Sequence, residues 1–183
     1  HRSHDSLTGR QMSCWCFCCR FCCCWCCCKP VIAPAERPQL AESVTRICAA
    51  GFRVSLNCGI TQKLAKAIQK QYPDKYETWF FFPGPGLGWD PYRDFINNTL
   101  KTELDASQHD KHNWHSAPCV WLEKSDGAKE LLGGGDRFRE WAVRTFSQSD
   151  PGNRGILSLA TREPSVMTDE FFDDKDTGAA GQR

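Results

Sequence analysis

Ser116-Ala117-Pro118-Cys119-Val120-Trp121-Leu122-Glu123-Lys124-Ser125-Asp126-Gly127-Ala128-Lys129-Glu130-Leu131-Leu132-Gly133-Gly134-Gly135-Asp136 decides the architecture. CVWLEK and AKELL read as two strands, and Ser125-Asp126-Gly127 between them is a three-residue hairpin signal. A hairpin has to join its sheet antiparallel. The three glycines and Asp136 then open a helix whose Phe138, Trp141, Ala142 and Phe146 lie on its inner side.

Upstream, Phe52, Val54 and Leu56 alternate as in a strand, and Asn57 is placed to cap a helix that follows at once. Ile60, Leu64, Ala67, Ile68 and Tyr72 share one face of that helix, opposite Gln62, Lys66, Gln69 and Lys70. Tyr72-Pro73-Asp74 ends it. The aromatic run Tyr76 to Phe82 reads as a buried central strand. PGPGLG at 83–88 is a loop and not a phosphate cradle, because proline removes donors and no G-K-[ST] follows. Asp90-Pro91 opens an amphipathic helix carrying Tyr92, Phe95, Ile96, Thr99, Leu100 and Leu104. The order is β-α-β-α-β-β-α over 52–146. It predicts an α/β domain with a parallel first βαβ unit and a mixed four-stranded sheet flanked by helices.

The rest of the chain divides by charge. Residues 1–29 carry net +3, 147–183 carry −3, and the whole 183-residue chain carries +1, too weak a field to attract nucleic acid. Residues 30–51 begin Pro-rich and read as a linker, and 147–183 as an acidic, disordered tail. Of 13 cysteines, ten crowd into Cys14 to Cys28, which excludes a disulfide-stapled secreted scaffold and points to a cytoplasmic protein. That block is shorter than the ~20 apolar residues of a membrane span. It reads as a low-complexity leader, since Trp, Phe and Arg codons lie one base from TGC. Other readings are a signal segment with Ala33-Pro34-Ala35 as its cleavage site, a soft-metal cluster, and an S-acylated membrane contact beside Arg10 and Lys29.

The element order, with a cysteine at the first helix N-terminus and a proline before the third strand, resembles the thioredoxin fold in its glutaredoxin branch. Cys58-Gly59-Ile60-Thr61 is similar to the C-G-F-S motif of monothiol glutaredoxins, Ser116-Ala117-Pro118 to their T-V-P segment, and Leu132-Gly133-Gly134-Gly135-Asp136 to their I-G-G-x-D segment. The resemblance implies a catalytic Cys58 and a glutathione site built from Ala117, Pro118, Gly134, Gly135 and Asp136. Physical chemistry gives each part a task. A helix N-terminus stabilises a thiolate, lowering the thiol pKa from ~8.5. A proline-kinked strand entry offers backbone groups to a peptide-like ligand, and a glycine-rich helix start receives a carboxylate. Glutathione or a thiol protein would be the partner in thiol–disulfide exchange. Thr61 leaves no second cysteine for a C-x-x-C bridge, the family's lysine before the motif is missing with Arg53 the nearest substitute, and Arg137 replaces a second aspartate. The family's shared iron–sulfur cluster finds little support in these residues.

A narrower resemblance is carried by Asn113-Trp114-His115-Ser116-Ala117-Pro118, Val120-Trp121-Leu122-Glu123, Leu131-Leu132-Gly133-Gly134 and Ser165-Val166-Met167-Thr168-Asp169-Glu170. These are similar to the N-terminal region of the atypical malate dehydrogenase-like proteins of ciliated eukaryotes. There a thioredoxin-like segment precedes a Rossmann domain. It implies a non-catalytic interaction domain, an N-terminal piece of a longer protein; no dinucleotide fingerprint occurs in these residues. His109, His112, His115 and Cys119 read as loop residues and not as a metal site, with a Cys58–His115 pair as a way to activate the thiol. Asp169 to Asp176 resembles the FFAT-type acidic motif, though a solvated acidic tail accounts for the same residues.

Overall fold

The computed structural model describes residues 34–52, 55–83 and 90–162. The cysteine block, Ala33 of the proposed cleavage site, Arg53 and Val54, most of the PGPGLG loop, and the Ser165 and Asp169 motifs lie outside the described residues.

A four-stranded mixed sheet runs in the order β2-β1-β3-β4. β1 (Thr45–Ala50) pairs parallel with β2 (Tyr76–Phe81) and antiparallel with β3 (Cys119–Lys124), which pairs antiparallel with β4 (Lys129–Gly133). The hairpin turn is as the sequence indicates: Gly127 sits at φ 85°, and Asp126 Oδ1 accepts from the Ala128 N–H at 2.9 Å. α1 (Leu56–Gln71) links β1 to β2. α2 (Asp90–Phe95) runs on through a π-helical segment (Ile96–Leu100) into α3 (Lys101–Glu103), and a 3₁₀ segment (Ala106–Lys111) follows. α4 (Gly135–Thr145) and α5 (Arg154–Thr161) close the described chain.

Successive strand residues face opposite ways, so the sheet supports two cores. Ile47, Ala49, Phe80, Phe82, Val120 and Leu122 pack with Leu64 and Ile68 of α1, Phe138 and Ala142 of α4, and Ile156 of α5. Cys48, Ala50, Trp79, Phe81, Cys119 and Trp121 pack with Tyr92, Phe95, Ile96 and Leu100 on the other face.

Five expectations need correcting. The first strand lies in Thr45–Ala50, inside the segment read as a linker, and not at Phe52 to Leu56. A strand covered on both faces loses its period of two: Ile47, Cys48, Ala49 and Ala50 are all fully buried. Leu56 accordingly opens α1, and Ser55, not Asn57, is its N-cap. β2 is an edge strand, not a central one; its aromatic end is buried because side chains cover both of its faces. Gln62 is buried rather than solvent-facing, because α1 packs against β1, β2, α4 and α5 at once. Finally, α5 stands within the expected tail. Asp150 accepts from the Gly152 N–H at 2.8 Å across Pro151, and Ile156 and Ala160 are buried against the first core.

Arg46 and Glu123, both buried, pair at 3.1 Å between β1 and β3. Arg37 joins Glu123 at 2.6 Å, and the Trp79 Nε1–H donates to the Ala35 carbonyl at 3.2 Å, which ties the 34–38 segment to the sheet. Among the described residues no helix is long and apolar enough to cross a membrane.

Candidate functional site

β1 ends at Ala50, and the chain turns through Gly51 into α1, placing Cys58 in the first helical turn with its N–H on the Ser55 carbonyl at 3.0 Å. From the other side of β1, β3 begins just after the cis Ala117–Pro118 peptide. Gly51 lies between the two. A β-carbon on Gly51 would run into Cys58 Sγ and sit 3.4 Å from the Pro118 Cα. A β-carbon on Gly135, at the start of α4, would stand 3.1 Å from Thr61 Oγ1 and 3.4 Å from Pro118 Cγ. One on Gly134 would stand 3.9 Å from the Pro118 carbonyl oxygen. Cys58, Pro118, Gly134 and Gly135, named separately along the sequence, therefore meet in one place. Thr61 joins them.

The remaining expected residues divide. Ala117 is half-buried beside the cluster, and neither its N–H nor its C=O has a hydrogen bond among the described residues. Asp136 is exposed, pairs with Arg139, and lines an open groove with Arg144 and Arg162. It is not one of the groups around the thiol.

The thiol itself departs from expectation. Cys58 is fully buried, and burial pushes its pKa up to about 11, against weaker opposing effects from the Ser55 side chain and the Phe52 backbone. A helix N-terminus favours the thiolate only where the sulfur keeps solvent or a cation nearby. Here desolvation wins. Roughly one thiol in ten thousand would be ionised at pH 7 with that pKa. The expected Cys58–His115 pairing is not formed: His115 is exposed and lines a different cavity. Cys48 and Cys119 are fully buried in the second core, and burial raises both thiols well above their ordinary range. Among the described residues no group of three or more His, Cys, Asp or Glu could hold a metal ion.

Two features escaped the sequence reading. Both side-chain amide atoms of Gln62, one turn along α1 from Cys58, are buried without a hydrogen-bond partner among the described residues. The imidazole Nε2 of His112 is in the same condition. Nothing in the sequence marks either, because burial without a partner is a property of packing.

No family model matches the chain, and no curated protein gives a significant match to it.

Proposed function

We propose that the domain is a thioredoxin-like module of glutaredoxin type acting as a non-catalytic interaction domain. It would be of the kind that precedes the dehydrogenase domain in atypical malate dehydrogenase-like proteins. The observation that carries this reading is the burial of Cys58 beneath Gly51 and Pro118, which leaves the sulfur neutral and closed to a disulfide. Supporting it, the N–H and C=O of Ala117, without a hydrogen bond among the described residues, stand at the entrance to β3. An extended peptide adds main-chain hydrogen bonds at such a position without needing a thiol. The mixed four-stranded sheet with its flanking helices is compatible with a thioredoxin-like fold.

Glutathione-linked exchange is the second reading, favoured by the meeting of Cys58, Pro118, Gly134 and Gly135 in one place. In it the Cys58 thiolate attacks the glutathione sulfur of a protein–glutathione mixed disulfide, forming a Cys58–glutathione disulfide and releasing the protein thiolate. A free glutathione thiolate then attacks the glutathione sulfur of that adduct, freeing the Cys58 thiolate and leaving as glutathione disulfide.

Incubation of the native protein with glutathione disulfide, followed by mass-spectrometric mapping, separates the two. The interaction reading expects Cys58 unmodified until the protein is unfolded. Rapid native glutathionylation of Cys58, lost in Cys58→Ser, would overturn it in favour of exchange.

A further inference from the structure

An open groove of about 630 Å³ runs along α4, within the ~300–1,000 Å³ of clefts that hold ligands. Asp136, Arg139, Glu140, Val143 and Arg144 form one wall, and the end of α5, Ala160 to Arg162, forms the other. The α4 residues recur at spacings of three and four. They make one stripe of the helix, about 12 Å long at 1.5 Å per residue. None of the lining residues belongs to the cluster around Cys58.

The charges of the groove are unevenly used. Asp136 pairs with Arg139, and Glu140 pairs at 3.1 Å with Arg137, which lies outside the lining. Both carboxylates are thereby neutralised. Arg144 is exposed and makes no ion pair among the described residues, so the groove keeps a net positive charge. Val143 sits in the same stripe and, at 37% exposure, is the one large apolar side chain exposed among the described residues. Apolar surface flanked by arginine suits a segment that is both aromatic and acidic. Rings cover the valine and the arginine stems, and carboxylates meet the guanidinium heads.

The chain delivers such a segment to this place. α5 ends at Thr161, and the next residue, Arg162, is extended at φ −72° and ψ 129°. The Arg162 carbonyl accepts from Arg139 Nη1 at 3.1 Å, so the described chain ends against the wall of the groove. Beyond it, outside the described residues, 163–183 carry six Asp and Glu against one Lys and one Arg, net −4. Phe171-Phe172 stand between Asp169-Glu170 and Asp173-Asp174. Phe171 follows Arg162 by nine residues, which reach up to about 30 Å when extended, more than twice the length of the stripe. So short a connection gives an effective concentration on the order of 1 mM. A contact with a Kd of about 1 mM between separate molecules is then half formed within one chain.

We propose that this groove is the docking site of the chain's own acidic segment, Asp169 to Asp174. Phe171 and Phe172 lie on Val143 and on the stems of Arg139 and Arg144, and the flanking carboxylates face Arg144 and Arg162. A second copy offers the same segment, but at a protein concentration of about 10 μM it competes about a hundredfold less well.

The test is NMR on the full chain, with labelled valine methyls and phenylalanine rings. Nuclear Overhauser contacts are expected from the Val143 methyls to the Phe171 and Phe172 rings, with ring-current shifts of those methyls that vanish in the Phe171→Ser/Phe172→Ser double variant. Arg144→Glu, at an exposed position where folding is not at stake, should weaken docking about fivefold, since it exchanges an exposed ion pair for repulsion. Arg154→Glu, also exposed and outside the groove, should leave docking unchanged. Absent contacts, or Val143 methyls unmoved by the double variant, would overturn the proposal. So would equal weakening by Arg144→Glu and Arg154→Glu. Contacts that run only between molecules, in a mixture of labelled and unlabelled chains, would overturn it in favour of a second copy.

Discussion

A single methyl group added at Gly51 probes the packing that closes off the thiol. Gly51 does not lie in the left-handed region, so alanine meets no backbone penalty there and the whole effect is steric. The new carbon would overlap Cys58 Sγ and touch Phe82 Cε1 and the Pro118 Cα, each at 3.4 Å. Cys58 is fully buried, so its sulfur has no solvent to retreat into. Overpacking of this kind costs about 1–3 kcal/mol. Cys58→Ala alone removes one buried heavy atom and should cost about 0.5–1.5 kcal/mol, as a lost methyl does. The double variant removes the obstacle and fills the space, so its loss should fall short of the sum by about 1–2 kcal/mol. Thermal unfolding followed by near-ultraviolet circular dichroism reads this directly, at about 3–5 °C per kcal/mol for a domain of this size. Losses that add to within about 0.5 kcal/mol would refute the contact. The burial argument for a non-catalytic thiol would then lose its structural basis.

Three further outcomes follow from buried polar groups. Glu123→Ala takes one carboxylate from the Arg46 guanidinium, which is 3% exposed and, among the described residues, then keeps Glu77 and the Pro38 carbonyl, so about 3 kcal/mol should be lost. Urea unfolding checks it as a lower midpoint with an unchanged slope. Gln62→Leu removes two unsatisfied atoms at similar volume and should raise the urea midpoint by the equivalent of about 1–2 kcal/mol; a fall would show that the amide has a partner. His112 has its pKa lowered by burial, and by nearby Lys101, to about 4. The unfolded chain therefore takes up a proton near pH 6.5 that the folded chain refuses. Stability from this residue is full above that pH and is lost as the pH falls toward 4, by up to about 3 kcal/mol. A ring titration by NMR with a midpoint near 6.5 would contradict it.

The hairpin, the proline before it and the glycines after it were legible because each is local chemistry: a turn needs Gly127, and a strand entry tolerates Pro118. What failed was non-local. Thr45–Ala50 has no alternation because helices cover both sheet faces, while Phe52, Val54 and Leu56 alternate in a stretch whose last member begins α1. α5 was hidden by averaging charge over 147–183, although Asp150-Pro151 repeats the Asp90-Pro91 signal that correctly located α2. The site was half legible. Residue types indicated that Cys58, Pro118, Gly134 and Gly135 belong together, and they do. Whether the sulfur is open to solvent depends on Gly51, Phe82 and Pro118 converging on it, which no spacing rule records.

Gln62 and His112 are the same physical anomaly in different places. Each is buried and lacks a partner for a polar atom among the described residues. They differ in what burial does to charge. The Gln62 amide is neutral at every pH, so its cost is the same wherever stability is measured. His112 relieves its cost only by taking a proton, and burial, with Lys101 nearby, opposes that until the pH falls to about 4. An apolar replacement therefore acts differently at the two positions. Gln62→Leu should raise the urea midpoint equally at pH 5 and pH 8. The gain from His112→Leu should be larger at pH 5, where the native histidine has lost stability that leucine keeps. Equal gains from His112→Leu at the two pH values would show that the ring is not held neutral by its surroundings.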